Sequence, residues 1–479
     1  MKRLSFRFTR DLSRSSWKFF LAGEGMSFRT GRYFVESALV GAFTGVVVVL
    51  FRYLIDWAQR FFMEGLGHHA AMSRLPDGAA IGRMYSAEAL MDGRRWLLVV
   101  LPALGAVAGY FLLKIGRRLE MARGTDSAVR AYHQSDGYIP GAVIPVKSVA
   151  SVLTVGCGGS GGYEGPVTLL GAACGSVVAH AFNLTVRARR ILMAAGLGAG
   201  ISALFQAPLA GAIFGFEIFY SSSDIEYEAV LPSFIASTVS YAIFACFFGW
   251  EPLFVMPDIA FDNGLRLIPY FILAVAIVFG VRFYIYCFRF AERKFAESPL
   301  PRWAVVATGG LLTGVIGFFF PDILGPSYSV IQASFTAGQS ELFADFGPLT
   351  ITGFVCFFFM KAIATSCTVG SGGSAGVFAP AIVCGGTLGA AVGLFFSRVL
   401  PASMGIHPAA FALVGMAGFL ASAIRIPLTA IVMVAEISGN HHLLLPAMWV
   451  CCISFWLNNG WTLYRSQVHN RESSPVHSS

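Results

Sequence analysis

The chain has 479 residues, 56% of them hydrophobic and only 13% charged, against about 25% charged in an ordinary soluble domain. That deficit excludes a soluble globular protein. The net charge of +8 does not point to nucleic acid, because the basic residues gather at the N-terminal end and in short loops, as the positive-inside rule expects of a membrane protein.

Residues 1–32 form a basic segment carrying Lys2, Arg3, Arg7, Arg10, Arg14 and Lys18. It lacks the continuous apolar core and small-residue cleavage site of a signal peptide, and it suits an amphipathic helix on the cytoplasmic surface. Apolar segments follow near 33–57, 96–117, 229–249, 266–290, 302–320, 348–366, 377–399, 408–437 and 442–459. Each is about long enough to cross a hydrocarbon core of roughly 30 Å as a helix. The nine cysteines are scattered without metal-type spacing and read as reduced packing residues, so neither a metal nor a cofactor is implied. His68 and His69 fall in a loop, and no HExxH, Ser/His/Asp set or carboxylate dyad occurs in the spans, which argues against an enzyme.

Internal repetition is the most informative feature. Residues 147–166 read "KSVASVLTVGCGGSGGYEGP" and residues 361–380 read "KAIATSCTVGSGGSAGVFAP", aligned without a gap at an offset of 214 (361 − 147). A second pair, "GLGAGISALFQAPLAGAIFGFE" ending at Glu217 and "GMAGFLASAIRIPLTAIVMVAE" ending at Glu436, follows at 219 (436 − 217). The chain is one duplicated unit, about 34–250 and about 265–462, joined by the charged stretch "RFAERKFAESPLPR" at 289–302. Duplicated membrane proteins often have halves of opposite orientation, with glycine interruptions at corresponding points. The glycine loops are therefore expected to meet near mid-membrane, where irregular backbone is tolerated only if buried in protein or lining a wet cavity. Pro166 and Pro380 mark the start of a helix after each loop. The amides ahead of them can form an anion site at a helix N-terminus. The clusters "GAFTG", "GAACG" and "GAIFG" read as helix-packing surfaces.

Glu164 is the one carboxylate on these loops. In a cavity that attracts anions, a protein carboxylate is itself an anion and can occupy the site as a tethered competitor, opening the path when protonated or displaced. The second repeat carries Phe378 at this position, whose positive ring edge can line an anion path without formal charge.

"GGYEGP" with "GGVFAP", the upstream Lys147, "APLAG" at 207–211 and the C-terminal "TLYRSQ" together resemble the CLC family of chloride channels and proton/chloride antiporters, over residues 33–466. The resemblance implies an all-α polytopic membrane protein with a CLC-type fold, two inverted-topology repeats of tilted and broken helices. It implies a homodimer in the lipid bilayer with one pore per subunit, sited in the inner (plasma) membrane with both termini cytoplasmic and residues 467–479 as a short tail. Chloride or a similar small anion, and protons, are the expected partners. By position Glu164 matches the family's gating glutamate, Gly165, Val377, Phe378 and Ala379 its backbone anion site, and Tyr464 its anion-contacting tyrosine; an interfacial belt tyrosine is the alternative for Tyr464. The 15 residues after Tyr464 (479 − 464) leave no room for the nucleotide-binding domains of larger members.

Three positions depart from the family pattern. The family's Gly-Ser-Gly-Ile-Pro signature is replaced by "ARGTDSAVRAYH" at 122–133, which puts Arg123 at the serine position with Thr125 nearby. Arg123 either offers positive charge to the anion or turns to cytoplasmic water. The inner proton-accepting glutamate of the antiporters is replaced by Ile218, while Asp224, Glu226 and Glu228 follow in what reads as a solvated loop, one of them a substitute for proton access. Glu217 and Glu436 are expected to cap or pair within the bundle. Tyr163 stands where many relatives carry arginine, removing a positive charge beside Glu164. Ile218 tips the expectation toward channel-like or weakly coupled conduction over proton-coupled antiport. A secondary transporter of another solute is the competing class.

Overall fold

The computed structural model describes residues 26–66, 96–121, 123–336 and 349–477. The basic segment up to residue 25, and His68 and His69, lie outside the described residues. Repeat one contributes α1 (Met26–Gln59), α2 (Leu97–Ile115), α3 (Thr125–Gln134), α4 (Val143–Gly156), α5 (Glu164–Ala181), α6 (Val186–Phe205), α7 (Pro208–Glu217) and α8 (Val230–Phe248). Repeat two contributes α9 (Leu267–Glu297), α10 (Arg302–Phe319), α11 (Tyr328–Thr336), α12 (Leu349–Gly370), α13 (Phe378–Val399), α14 (Pro408–Ala423), α15 (Pro427–Ser438) and α16 (Leu444–Leu457). Among the described residues eight helices are long and apolar enough to cross a membrane.

Several expectations shift in detail. The apolar run at 408–437 is two helices, because Arg425 takes a left-handed φ of 66° and Pro427 cannot continue the preceding ladder. Gln206 (φ 54°) and Pro208 break repeat one at the matching point. Helices of 10 and 12 residues result, about 15–18 Å long and so roughly half a bilayer. Helix α6 was not among the expected spans: Arg187, Arg189 and Arg190 at its start lower its hydropathy, and the rest lies inside the protein, where small residues permit close packing. The charged joining stretch is helical through Glu297, and the chain turns only at Ser298–Pro301. The helices after the glycine loops begin at Glu164 and Phe378, two residues before each proline, which leaves both prolines within a first turn whose N–H groups have no helical partner.

The three glycine clusters are contact surfaces, as expected. A Cβ on Gly41 would lie 2.4 Å from the carbonyl oxygen of Ala236 on α8, one on Gly171 2.1 Å from that of Gly196, and one on Gly211 2.5 Å from the nitrogen of Ser202. Two cross-repeat connections fix the halves together. Glu217, at the end of α7, accepts from the backbone N–H groups of Leu428 and Thr429 at 2.8 Å each and from the Thr429 hydroxyl at 2.6 Å, capping α15. Glu436, near the end of α15, accepts from Leu209 N–H (3.0 Å) and Ala210 N–H (2.7 Å), capping α7. Each repeat's acid thus satisfies the orphan donors of the other repeat's helix.

The second connection is between the glycine loops. Gly162 N–H donates to Gly376 O and Gly376 N–H to Gly162 O, both at 2.8 Å. These residues are repeat equivalents (376 − 162 = 214), so the pair lies on the pseudo-twofold axis. Around it Ser160 N–H donates to Thr368 Oγ1 (3.1 Å) and Ser374 N–H to Thr154 Oγ1 (3.3 Å). Ser160 Oγ lies 3.1 Å from Thr365 Oγ1, and Ser374 Oγ 3.0 Å from Ser151 Oγ. A Cβ on Gly376 would sit 2.6 Å from Gly165 N and 3.0 Å from its Cα. Gly376→Ala should therefore lower the thermal midpoint of the purified protein, with an overpacking cost of at least about 1–3 kcal/mol. Gly353→Ala, on an open face of α12, should leave the midpoint unchanged or raise it.

Candidate functional site

Because the loops pair across the axis, the helices that leave them start side by side. Glu164 is the first residue of α5 and Ala379 the second of α13. Neither helix has a side-chain cap, so the first-turn amides remain for another acceptor. The Glu164 side chain, fully buried, fills that role: Oε2 accepts from Ala379 N–H at 3.3 Å, and Oε1 accepts from the Tyr328 hydroxyl. A Cβ on Gly162 would overlap Oε2, so the absence of a side chain there makes room for the carboxylate. Phe378, the repeat counterpart of Glu164, packs its ring against Phe205 (5.6 Å) and edge-on to Phe214 (5.7 Å).

Beyond Gly165 lies an open cavity whose wall includes Arg123, Thr125, Gly165, Gly376, Val377 and Tyr464. Three helix N-termini meet there, those of α3, α5 and α13, each carrying roughly half a positive charge. Four sequence-predicted residues, Arg123, Gly165, Val377 and Tyr464, are on this wall. Glu164, Phe378 and Ala379 stand behind it.

Proton accounting distinguishes the two hydroxyls near the cavity. Thr168 Oγ1 donates to Gly165 O (2.8 Å), so the 2.7 Å contact between Thr125 and Thr168 uses the hydrogen of Thr125. Tyr464 is buried, which removes the belt-tyrosine alternative, and its hydroxyl has no hydrogen bond of ordinary geometry within the protein. A buried donor left unsatisfied on a cavity wall is costly unless a ligand takes its hydrogen. The cavity can therefore hold a small anion on amide dipoles and one phenol.

Arg123 resolves to the cavity mouth. It is half-exposed, its guanidinium 2.5 Å from Glu292 Oε1 and 3.8 Å from Asp126, while Arg465 holds the other Glu292 oxygen at 2.8 Å. The acidic loop after Ile218 is not a solvated face. Glu226 is buried, accepting from the Tyr220 hydroxyl (2.8 Å) and Arg471 (3.2 Å), with His477 at 3.0 Å. Asp224 accepts from Arg471 N–H (2.8 Å), and Arg187 donates to Glu228 at 2.7 Å. The C-terminal segment that supplies these partners docks along residues 220–222, with Ser221 and Ser222 N–H donating to Val468 and His469 carbonyls at 2.8 and 2.9 Å. Its periodicity-free sequence gave no sign of this. Ile218 is buried and its carbonyl accepts from Gln467 at 2.9 Å. Sequence reasoning also missed Tyr328, which is 164 residues from Glu164 and belongs to neither duplicated motif.

Two inverted repeats whose glycine loops pair, with a buried acid accepting from the first turn of the opposite repeat's helix, are the architecture of a membrane transport protein. The sequence profile of the voltage gated chloride channel family matches residues 104–459. The "H(+)/Cl(-) exchange transporter ClcA" of Yersinia pseudotuberculosis is 30% identical over 430 residues, covering 87% of this chain and 82% of the relative. The "Putative chloride channel protein ClcB-like" of Ralstonia nicotianae is 29% identical over 364 residues, 75% and 82%. Among solved structures, a CLC-type fluoride/proton antiporter superposes with a TM-score of 0.74 at 18% identity, covering 93% of this chain and all of the other. A slow cyanobacterial Cl⁻/H⁺ antiporter gives 0.74 at 21%, with 90% and 96% covered. The chain belongs to the CLC family, and it is a multi-pass membrane protein of the anion-transport class.

Beyond its approach to Thr125 the Tyr464 hydroxyl has no partner among the described residues, so its removal breaks little inside the protein. Tyr464→Phe should therefore leave the chloride-free thermal midpoint unchanged or slightly higher. It should weaken chloride binding about tenfold, the worth of one hydrogen bond to a charged group, as read by calorimetric titration.

Proposed function

We propose that this protein exchanges chloride for protons across the bacterial inner membrane, as a homodimer with one pathway per subunit and both termini cytoplasmic. Glu164 is the movable gate and proton carrier. The anion rests on the amides of Gly165, Val377, Phe378 and Ala379 and on the Tyr464 hydroxyl, with Arg123 at the mouth paired to Glu292. The observation that carries this reading is the hydrogen bond from Ala379 N–H to the Glu164 carboxylate: the protein's own anion occupies a donor suited to a free one. Protonation removes the charge that holds the side chain there, so movement of the acid and arrival of an anion are alternatives at one set of donors. Proton coupling is supported by relatives at 28–30% identity that are named exchangers, in preference to the channel-like conduction suggested by Ile218.

Passive conduction remains the second reading, because Ile218 cannot carry a proton and the nearby Glu226 is already ion-paired. Reversal potentials of reconstituted protein at two proton gradients and a fixed chloride gradient separate the two. Exchange shifts the potential with the proton gradient, whereas a channel holds it at the chloride value. Glu164→Gln should abolish that shift and leave chloride flux running without pH dependence; retained coupling in this variant would overturn the role given to Glu164.

A further inference from the structure

Glu164 has a second partner that the duplication does not provide. The residue that donates to Oε1, Tyr328, opens α11. Its ring is enclosed by aromatic neighbours from three directions: Tyr163 at 6.4 Å, Phe205 at 6.5 Å and Phe254 at 5.9 Å between centroids. The segment leading into it is fastened independently. Lys361, fully buried on α12, donates to Ile323 O (2.9 Å), Gly325 O (2.7 Å) and Ser327 Oγ (2.7 Å), and Gly161 N–H of the first glycine loop donates to Gly325 O at 3.3 Å. Gly325 and Ser327 both take a left-handed φ of 66°, which turns the chain so that Tyr328 faces the loop. The ammonium of one repeat's lysine and the amide of the other's loop thus fix the arm that presents this hydroxyl.

We propose that Tyr328 is a positioning residue for the gate, holding the Glu164 carboxylate across the anion path by a hydrogen bond that the carboxyl must give up to swing away. This rests on the gating role assigned to Glu164 above. The hydroxyl favours the charged carboxylate, so it sets the pH at which the gate releases. The other titratable groups facing Glu164 are Lys361 of α12, Tyr163 on its own loop and Tyr464 beyond Gly165, with Arg52 and Asp56 of α1 behind Tyr163. Lys361 is engaged by three oxygens, and Arg52 and Asp56 pair with each other at 3.0 Å. The donor that touches Oε1 is Tyr328.

The test is chloride efflux from liposomes at symmetric pH over a range of pH values, for the wild type, Tyr328→Phe, Glu164→Gln and the double variant. Loss of one hydrogen bond to a charged group should move the midpoint of the Tyr328→Phe profile to higher pH by about one to two units, with no further effect in the Glu164→Gln background. The infrared carboxylate band that Glu164→Gln abolishes should titrate with the same displacement in detergent, where no transport is needed. Should Tyr328→Phe not accumulate, Tyr328→Gln, which keeps a donor, should lie nearer the wild-type midpoint than Tyr328→Leu. An unmoved midpoint, or the same displacement without Glu164, overturns the proposal while leaving the gate assignment intact. A pH-dependent Glu164→Gln profile overturns the gate assignment itself.

Discussion

The two backbone hydrogen bonds between Gly162 and Gly376 constrain every other feature of the site. Peptide groups at membrane depth cost several kcal/mol each when unpaired, and a glycine loop that interrupts a helix frees several of them. Here the two interruptions satisfy one another: Gly162 with Gly376 directly, and Ser160 and Ser374 through threonines of the opposite repeat. Neither loop could remain buried without the other. Their pairing also sets α5 and α13 so that two uncapped N-termini face one space, into which the Glu164 carboxylate reaches.

The scaffold is symmetric and the chemistry is not. Glu217 and Glu436 exchange helix caps across the axis, and the serine and threonine contacts around the loops repeat in mirrored pairs. Symmetry fails at the side chains nearest the path. Lys147 donates to Ser374 Oγ at 2.8 Å, whereas its counterpart Lys361 is turned to the arm that carries Tyr328. Glu164 lies on the opposite repeat's helix, whereas Phe378 packs into aromatic core. The duplication supplies a twofold backbone frame on which one acid, one phenol and one lysine-fastened arm have diverged.

Much of this was legible because repetition is a long-range signal carried in a local string. The offset of 214 paired the loops, the glycines required close approach, and a lone acid among them had to be functional or costly. Composition and spacing did not reveal elements whose role depends on tertiary partners. Tyr328 is an ordinary aromatic in an apolar chain until Lys361 and Gly161 fix the arm beneath it. Glu226 reads as loop charge until the C-terminal segment folds over it, with Arg471 and His477 as partners. Arg123 had two equal readings, and only the position of Glu292, on a helix 169 residues later (292 − 123), places it at the mouth. Helix α6 was overlooked because the arginines at its start interrupt the apolar run, although its remainder is apolar enough to span.

Among the described residues, Lys361, Arg123 and Arg465 near the path already have partners, and under the proposed function this bears on turnover. Lys361 meets three oxygens, Arg123 and Arg465 share Glu292, and in the proposed reading the donors left for an anion are main-chain dipoles and a phenol. A permeating ion must be held well enough to enter and loosely enough to leave. A free ammonium at this depth would bind a halide too strongly in a medium of low dielectric. Partial charges at three helix ends give a shallower well. They also put the protein's carboxylate and the free ion on comparable terms, since both are single negative charges accepting from the same few N–H and O–H groups. A tethered acid can then displace the ion without being permanently trapped, and the balance between them can be tipped by one proton.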